Sequence, residues 1–246
     1  MITARERYIS LIEDVVLDNI YGSNHFAGGF REATKDEIDN GSYWPQRAHT
    51  MIGKKRLQNI HKCFADVVLN NIPGDLIETG VWRGGACIFM KALVDSYDQT
   101  DRKVFVADSF EGLPFPDPNY PVDKPSPFDH LRKHLVISKE EVENNFKKYN
   151  LLDDRVVFIK GWFEHSLSNP NIKQLAILRL DGDMYSSTIQ AIEQLYDKLS
   201  VGGYVIVDDY GLDECKKAII DFRNKRNITT PIIPIDWVGA YWKKEK

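Results

Sequence analysis

Cysteine is scarce in this chain: three in 246 residues, at Cys63, Cys87 and Cys215. They stand far apart, show no CxxC spacing and fall in helix-patterned segments, which excludes a disulfide scaffold and fits free thiols in a reducing cytoplasm. Long apolar runs are missing as well. None approaches the roughly 20 residues that cross a bilayer, and the opening stretch MITARERYISLIEDVV lacks the uncharged core of a signal peptide. The expected compartment is therefore the cytoplasm, with no membrane partner. Nor is there a basic excess: 32 Lys and Arg against 36 Asp and Glu give a formal charge of −4. Without a positive field the chain is not expected to hold a phosphate backbone, which sets nucleic acid aside. No internal repeat or low-complexity tract stands out. What is present is 43% hydrophobic and 28% charged, a balance that suits one large α/β unit with a self-supporting core.

Residues 3–20 place Ile9, Leu11, Ile12, Val15, Val16 and Ile20 near one face of an amphipathic helix. Residues 21–50 are polar, aromatic and glycine-bearing, and read as irregular. From Gly53 the helical period returns, with Leu57, Ile60, Phe64, Val67, Val68 and Ile72 on one side, until Pro73-Gly74 ends it. Apolar runs follow at 76–81, 103–110, 155–162, 175–183 and 204–210, separated by helical patterns at 84–97, 139–149, 184–199 and 211–224. That alternation predicts a mostly parallel sheet with helices on both faces. The tail TPIIPIDWVGAYWKK reads as two last strands around a turn, with an antiparallel strand at or near one edge. Seven strands with such a tail fit the Rossmann-like α/β fold of class I methyltransferases better than the six parallel strands of a nicotinamide-binding domain. The expected division is 1–52, a helix and a covering segment, and 53–246, the Rossmann-like domain. An insertion at about 111–138 carries six prolines. Placed after the second strand, it reads as a lid over the carboxyl ends of the sheet.

The stretch DLIETGVWRGGACIF, 75–89, raises the functional question. Glu78 ends the first strand, and Gly80, Gly84 and Gly85 let the backbone turn tightly and approach a ligand before the next helix begins. The spacing is not that of the dinucleotide fingerprint. A carboxylate at Glu78 would repel a pyrophosphate and attract a cation such as the amino group of S-adenosylmethionine. Asp108 ends the second strand 30 residues later, where an acid accepts hydrogen bonds from ribose hydroxyls. Further on, LRLDGDMY supplies Asp181 and Asp183, and VIVDDY supplies Asp208 and Asp209. Neighbouring strand ends would bring these four acids to one mouth, at an electrostatic cost that a cation relieves. An all-oxygen donor set without histidine or cysteine suits Mg2+ above zinc. Such an ion would hold neighbouring hydroxyls of an acceptor and lower the pKa of the one to be alkylated. The bland alternative is that each acid caps the helix after its strand.

Six blocks occur in order: RAHTMIGKKRLQNI, ETGVWRGG, ADSFEGLP, GWFEHSL, LRLDGDMYSST and LSVGGYVIVDDY. Together, over roughly residues 45–245, the chain resembles the macrocin-type O-methyltransferases, the TylF/MycF group. These use S-adenosylmethionine and magnesium to methylate hydroxyls of deoxysugars and related groups on bacterial natural products. The resemblance implies that Asp181, Asp208 and Asp209 are metal ligands and Asp183 the general base. It implies that Glu78, Gly80 and the loop through Trp82 and Gly84 hold the methionine end of the cofactor. Asp108 and Ser109 would contact the ribose, Gly161 and Trp162 would flank the adenine, and Asp181 would also face the cofactor. Thr50, Met51 and Ile52 would close over cofactor and acceptor.

His130 and His134, in FDHLRKHL, are the alternative bases, because histidine titrates near neutrality and a lid can deliver it. Tyr43, Trp44 and Phe26 either line an acceptor pocket or pack the covering segment onto the domain. The N-terminal helix either mediates a homodimer or folds back on its own domain. The chain is thus expected to methylate a sugar or sugar-bearing small molecule, one with vicinal hydroxyls in the chelation logic above. A catechol-like acceptor, a nucleotide-binding oxidoreductase and an inactive partner-binding protein are the competing readings.

Overall fold

The computed structural model describes residues 2–25, 31–124 and 129–246. Phe26, the side chain of His130 and part of the expected lid lie outside the described residues. The alternating runs form five parallel strands: β1 (Asp75–Thr79), β2 (Val104–Asp108), β3 (Val156–Lys160), β4 (Leu175–Leu180) and β5 (Leu199–Val207). A C-terminal hairpin adds β6 (Ile233–Pro234) and β7 (Ala240–Lys243). Their order across the sheet is β3-β2-β1-β4-β5-β7-β6, with β7 antiparallel to β5. The chain winds outward from β1 to β3, then crosses back to β4 on the other side of β1. Loops leaving β1 and β4 therefore diverge, and a crevice opens at their carboxyl ends.

Eight α-helices are described: α1 (Ala4–Val16), α2 (Lys35–Asn40), α3 (Gly53–Leu69), α4 (Gly85–Ser96), α5 (Lys139–Lys148), α6 (Phe163–Ser166), α7 (Tyr185–Leu195) and α8 (Asp213–Lys225). The two-residue period of each strand decides which helices it meets. Leu76, Val104, Val106, Ile177 and Ile206 face the side covered by α1, α3, α4 and α5. Ile77, Phe105, Ala107, Leu178 and Val205 face α7 and α8. Both faces are buried, which is why these strands read as nearly continuous apolar runs. Glu78 and Arg179 interrupt the apolar pattern on the first face, and they lie opposite one another in register.

The expected seven-stranded, mostly parallel fold is present, and several boundaries differ from those expected. α1 stops at Val16, because Asp18 adopts a left-handed backbone. Leu11 is exposed, while Ile9, Ile12 and Val16 are buried against the rest of the chain. The apolar face of α1 is thus covered by its own domain, chiefly α4. Segment 21–50 is less irregular than expected. It holds a two-residue ribbon, Asn24–His25 with Arg31–Glu32, and the six-residue α2, which starts at a reciprocal cap between Thr34 and Glu37. Six residues are too few to show a helical period. β5 begins at Leu199 rather than 204: its glycines mimic a turn, and pairing with β4 passes through an irregularity between Leu175 and Ile177. All three cysteines are free and buried. Among the described residues no helix is long and apolar enough to cross a membrane.

Candidate active site

The carboxyl ends of β1 to β5 open onto a cavity of about 1060 Å³. A single small ligand typically occupies about 300–1,000 Å³, so this space admits a cofactor and an acceptor together. Its floor includes Glu78, Gly80, Asp108, Gly161, Asp181, Asp183, Asp208 and Asp209. Thr50, Met51, Ile52, Tyr43 and Trp44 of the covering segment, and Leu113 to Phe115 of the proline-rich insertion, complete the walls. Fourteen residues expected at the site from sequence line one cavity: Thr50, Met51, Ile52, Glu78, Gly80, Trp82, Asp108, Ser109, Gly161, Trp162, Asp181, Asp183, Asp208 and Asp209.

Gly84 does not. It caps α4 outside the cavity lining, where an added Cβ would collide with the side chain of Val142. The glycines of this loop also serve a different end from the one expected. Gly80 has φ +89°, and a Cβ there would fall on the carbonyl oxygen of Asp181. A Cβ on Gly85 would likewise collide with the carbonyl of His49. These positions let neighbouring chain segments meet, and so bring the β4 loop and the covering segment against the β1 loop. Trp82, Phe110 and Asp183 all have positive φ, one in each of the loops after β1, β2 and β4. Strained backbone of this kind concentrates at functional sites.

Asp108 accepts the main-chain N–H groups of Val81 and Phe110, each at 2.7 Å. It joins two loops, and burial raises its pKa despite those bonds. Ser109 donates to the carbonyl of Gly112 at 2.9 Å. The indole of Trp82 donates to the main-chain carbonyl of His134 at 2.8 Å, which ties the insertion to the β1 loop. His134 is not among the cavity-lining residues.

The acids converge as expected, with one departure. Arg179 projects from β4 into the space between them: it is paired with Glu78, with Asp181 at 2.6 Å and with Asp208. Glu78 is fully buried, held by Arg179 and by the thiol of Cys87 at 2.8 Å. The free charge expected there is thus engaged internally. The other oxygen of Asp208 is paired with Arg56 of α3, whose Nε also binds Asp236 at 2.9 Å. Four carboxylates, Glu78, Asp181, Asp208 and Asp236, are therefore paired with two guanidiniums, and Asp183 and Asp209 stand beside them among further carboxylates. The negative excess has consequences. Burial, reinforced by neighbouring carboxylates, pushes Asp181 and Asp209 well above the ordinary range and Asp183 up to about 6. Asp181 keeps 25% of its side chain open, but that surface faces the cavity.

One oxygen from each of Asp181, Asp208 and Asp209 lies within 4.8 Å of the others. Three carboxylates, oxygen donors alone and uncompensated negative charge fit a hard divalent cation such as Mg2+. Asp183 stands beside this group, its N–H donating to Asp209 Oδ2 at 3.0 Å.

Sequence reasoning missed three residues. Arg179 carried a legible signal, a lone charge inside the apolar run LAILRL. Arg56 sits within the block RAHTMIGKKRLQNI but looks like an ordinary charge of a helix. Asp123, in the insertion, is buried and accepts the N–H groups of Tyr185 at 2.6 Å and Ser186 at 3.0 Å; nothing local marks it.

The profile of the macrocin O-methyltransferase (TylF) family matches residues 5–244. Demethyldecarbamoylnovobiocin O-methyltransferase of Streptomyces niveus is 45% identical over 245 residues, 97% of this chain and 94% of that protein. The 8-demethyl-8-(2,3-dimethoxy-alpha-L-rhamnosyl)-tetracenomycin-C 4'-O-methyltransferase of Streptomyces olivaceus is 42% identical over 98% of this chain and 93% of its own. The solved structure of the O-methyltransferase NovP, 44% identical, matches with a TM-score of 0.93 over 98% of this chain and 100% of that one. The oxidoreductase reading is set aside. The chain belongs to the macrocin O-methyltransferase family and is an O-methyltransferase.

Proposed function

We propose that this enzyme transfers the methyl group of S-adenosylmethionine to a hydroxyl of a sugar-bearing small molecule, at a site that takes Mg2+. The observation that carries the reading is the acidic mouth: Asp181, Asp208 and Asp209 share one wall of the cavity with Asp183. The rhamnosyl group in the name of the tetracenomycin relative supports a sugar acceptor. The buried free thiols fit a cytoplasmic enzyme.

Glu78, Gly80, Trp82, Asp108, Ser109, Gly161 and Trp162 lie at the ends of β1, β2 and β3, and are assigned to the cofactor. The acceptor takes the remainder, between the covering segment and the ends of β4 and β5. Asp181, Asp208 and Asp209 would hold the ion, which when bound supplies charge compensation and lowers the pKa of a nearby hydroxyl. Asp183 accepts the hydroxyl proton; its elevated pKa makes it a better base near neutral pH than an ordinary aspartate. The acceptor oxygen forms its bond to the methyl carbon as the carbon–sulfur bond breaks, leaving S-adenosylhomocysteine. Most of the rate comes from positioning, which the covering segment and insertion supply by enclosing both reactants.

Calorimetric titration with S-adenosylhomocysteine and with NAD, each with and without Mg2+, tests the reading. Saturable binding of S-adenosylhomocysteine and none of NAD is expected. Asp208→Ala should abolish turnover of a rhamnoside acceptor while keeping most of that binding, and full activity in this variant would remove Mg2+ from the mechanism.

A further inference from the structure

Resting on that reading, we propose that Arg56 is a positioning residue that couples divalent-cation binding at Asp181, Asp208 and Asp209 to the seating of the covering segment over the cavity. Its side chain is only 5% exposed, and the guanidinium reaches three chain segments at once. Nη1 holds Asp208 Oδ2, the oxygen that Arg179 leaves free. Nε binds Asp236 Oδ2 at 2.9 Å, and the other oxygen of Asp236 accepts Val238 N at 3.0 Å and Gly239 N at 2.7 Å in the hairpin turn. Nη2 donates to the carbonyls of Asn40 at 3.3 Å and Gly41 at 3.4 Å, where the covering segment leaves α2. Trp237 of the same turn donates to Asn40 O at 2.9 Å. Gly41, Ser42, Tyr43 and Trp44 then run along the cavity wall.

The physical consequence follows from the fork of donors. A guanidinium fixes three directions in one plane, whereas an ammonium on a flexible stem does not. Asp208 can turn toward a cation only as far as Arg56 allows, and Arg56 is placed by the Asn40-Gly41 stretch of the covering segment. Whatever seats that segment therefore orients a ligand of the ion, and by linkage the ion favours the seated segment. A cofactor enclosed by Thr50, Met51 and Ile52 should then bind more tightly when the cation is present, and the reverse by the same factor.

The test measures Mn2+ affinity by the electron paramagnetic resonance signal of the free ion, with and without saturating S-adenosylhomocysteine. Wild-type protein should bind Mn2+ about tenfold more tightly with the nucleoside, within the usual range for coupled sites. Arg56→Lys should bring that ratio to within about twofold of unity. A second variant keeps Asp208 and Arg56 in the sequence: Gly41→Ala, at φ +61°, places a Cβ 2.5 Å from Arg56 Nη2 and 2.6 Å from the Met51 carbonyl oxygen, and displaces the segment from the guanidinium. It should lose the ratio while keeping the Mn2+ affinity of the nucleoside-free enzyme. A merely structural role would shift melting temperature and both affinities together without changing their ratio. Wild-type binding of both ligands without coupling, or coupling retained in both variants, overturns the proposal. Wild-type failure to bind either ligand overturns the reading of the site as well.

Discussion

Asp183 and Gly80 show how much of the site rests on single residues. Asp183 is the one acid of the mouth that neither touches a guanidinium nor belongs to the three-oxygen cluster. Its burial favours the protonated form and so raises its affinity for a proton taken from an acceptor. Replacing it by Asn should lower kcat by about 10²–10⁴-fold, the usual contribution of a general base, with S-adenosylhomocysteine affinity within about twofold of wild type. Turnover near the wild-type rate would move the base elsewhere. Gly80 is demanded by geometry: its φ is +89°, and the Asp181 carbonyl fills the place of a Cβ. Gly80→Ala must push the β1 and β4 loops apart and should cost about 3 kcal/mol or more in denaturant unfolding. An unchanged midpoint would show that the loops yield freely.

At the scale of elements, the proline-rich insertion is bound to the start of α7 rather than simply laid over the cavity. α7 begins with Tyr185, two residues after Asp183, and no side chain of its own caps it. Asp123 supplies the cap from the insertion by accepting the first two N–H groups of the helix. The same carboxylate thus secures the insertion and steadies the backbone that carries Asp183. Asp123→Ala should cost about 0.5–2 kcal/mol, the range of a lost helix cap. It should also speed tryptic cleavage at Arg132 and Lys133, read as a time course on gels. Stability and cleavage both at wild-type levels would show that other contacts anchor the insertion.

Across the whole molecule, the N-terminal region is joined to the domain around His49. Its N–H donates to Val16 O at 2.8 Å, its carbonyl accepts Gly85 N at 2.8 Å, and its ring meets the Tyr149 hydroxyl at 2.6 Å. Burial, with Lys148 and Arg83 nearby, lowers the pKa of this histidine from 6.5 to about 4. Between those values the unfolded chain binds a proton that the folded chain does not. The contribution is therefore present above about pH 6.5 and is lost progressively as the pH falls toward 4. His49→Gln should flatten the fall of unfolding free energy across that window, measured by urea titration at half-unit steps. A slope identical to wild type would place the acid sensitivity in other groups.

Much of this protein was determined by the sequence alone. Strict alternation of buried strands and amphipathic helices specified the layered sheet, because each period matches one geometry. The acids after β4 and β5 and the six ordered blocks pointed to one mouth and to one family, since parallel strands deliver their carboxyl ends to the same edge. α2 stayed hidden because six residues hold too little periodicity. Only the tertiary structure decided what compensates the buried acids. Arg56 and Asp208 are separated by 152 positions, and Glu78 and Arg179 by 101; charges so distant in the chain meet only once the sheet has formed. The purpose of Gly80 was likewise settled by a neighbour, the Asp181 carbonyl, that no local pattern names.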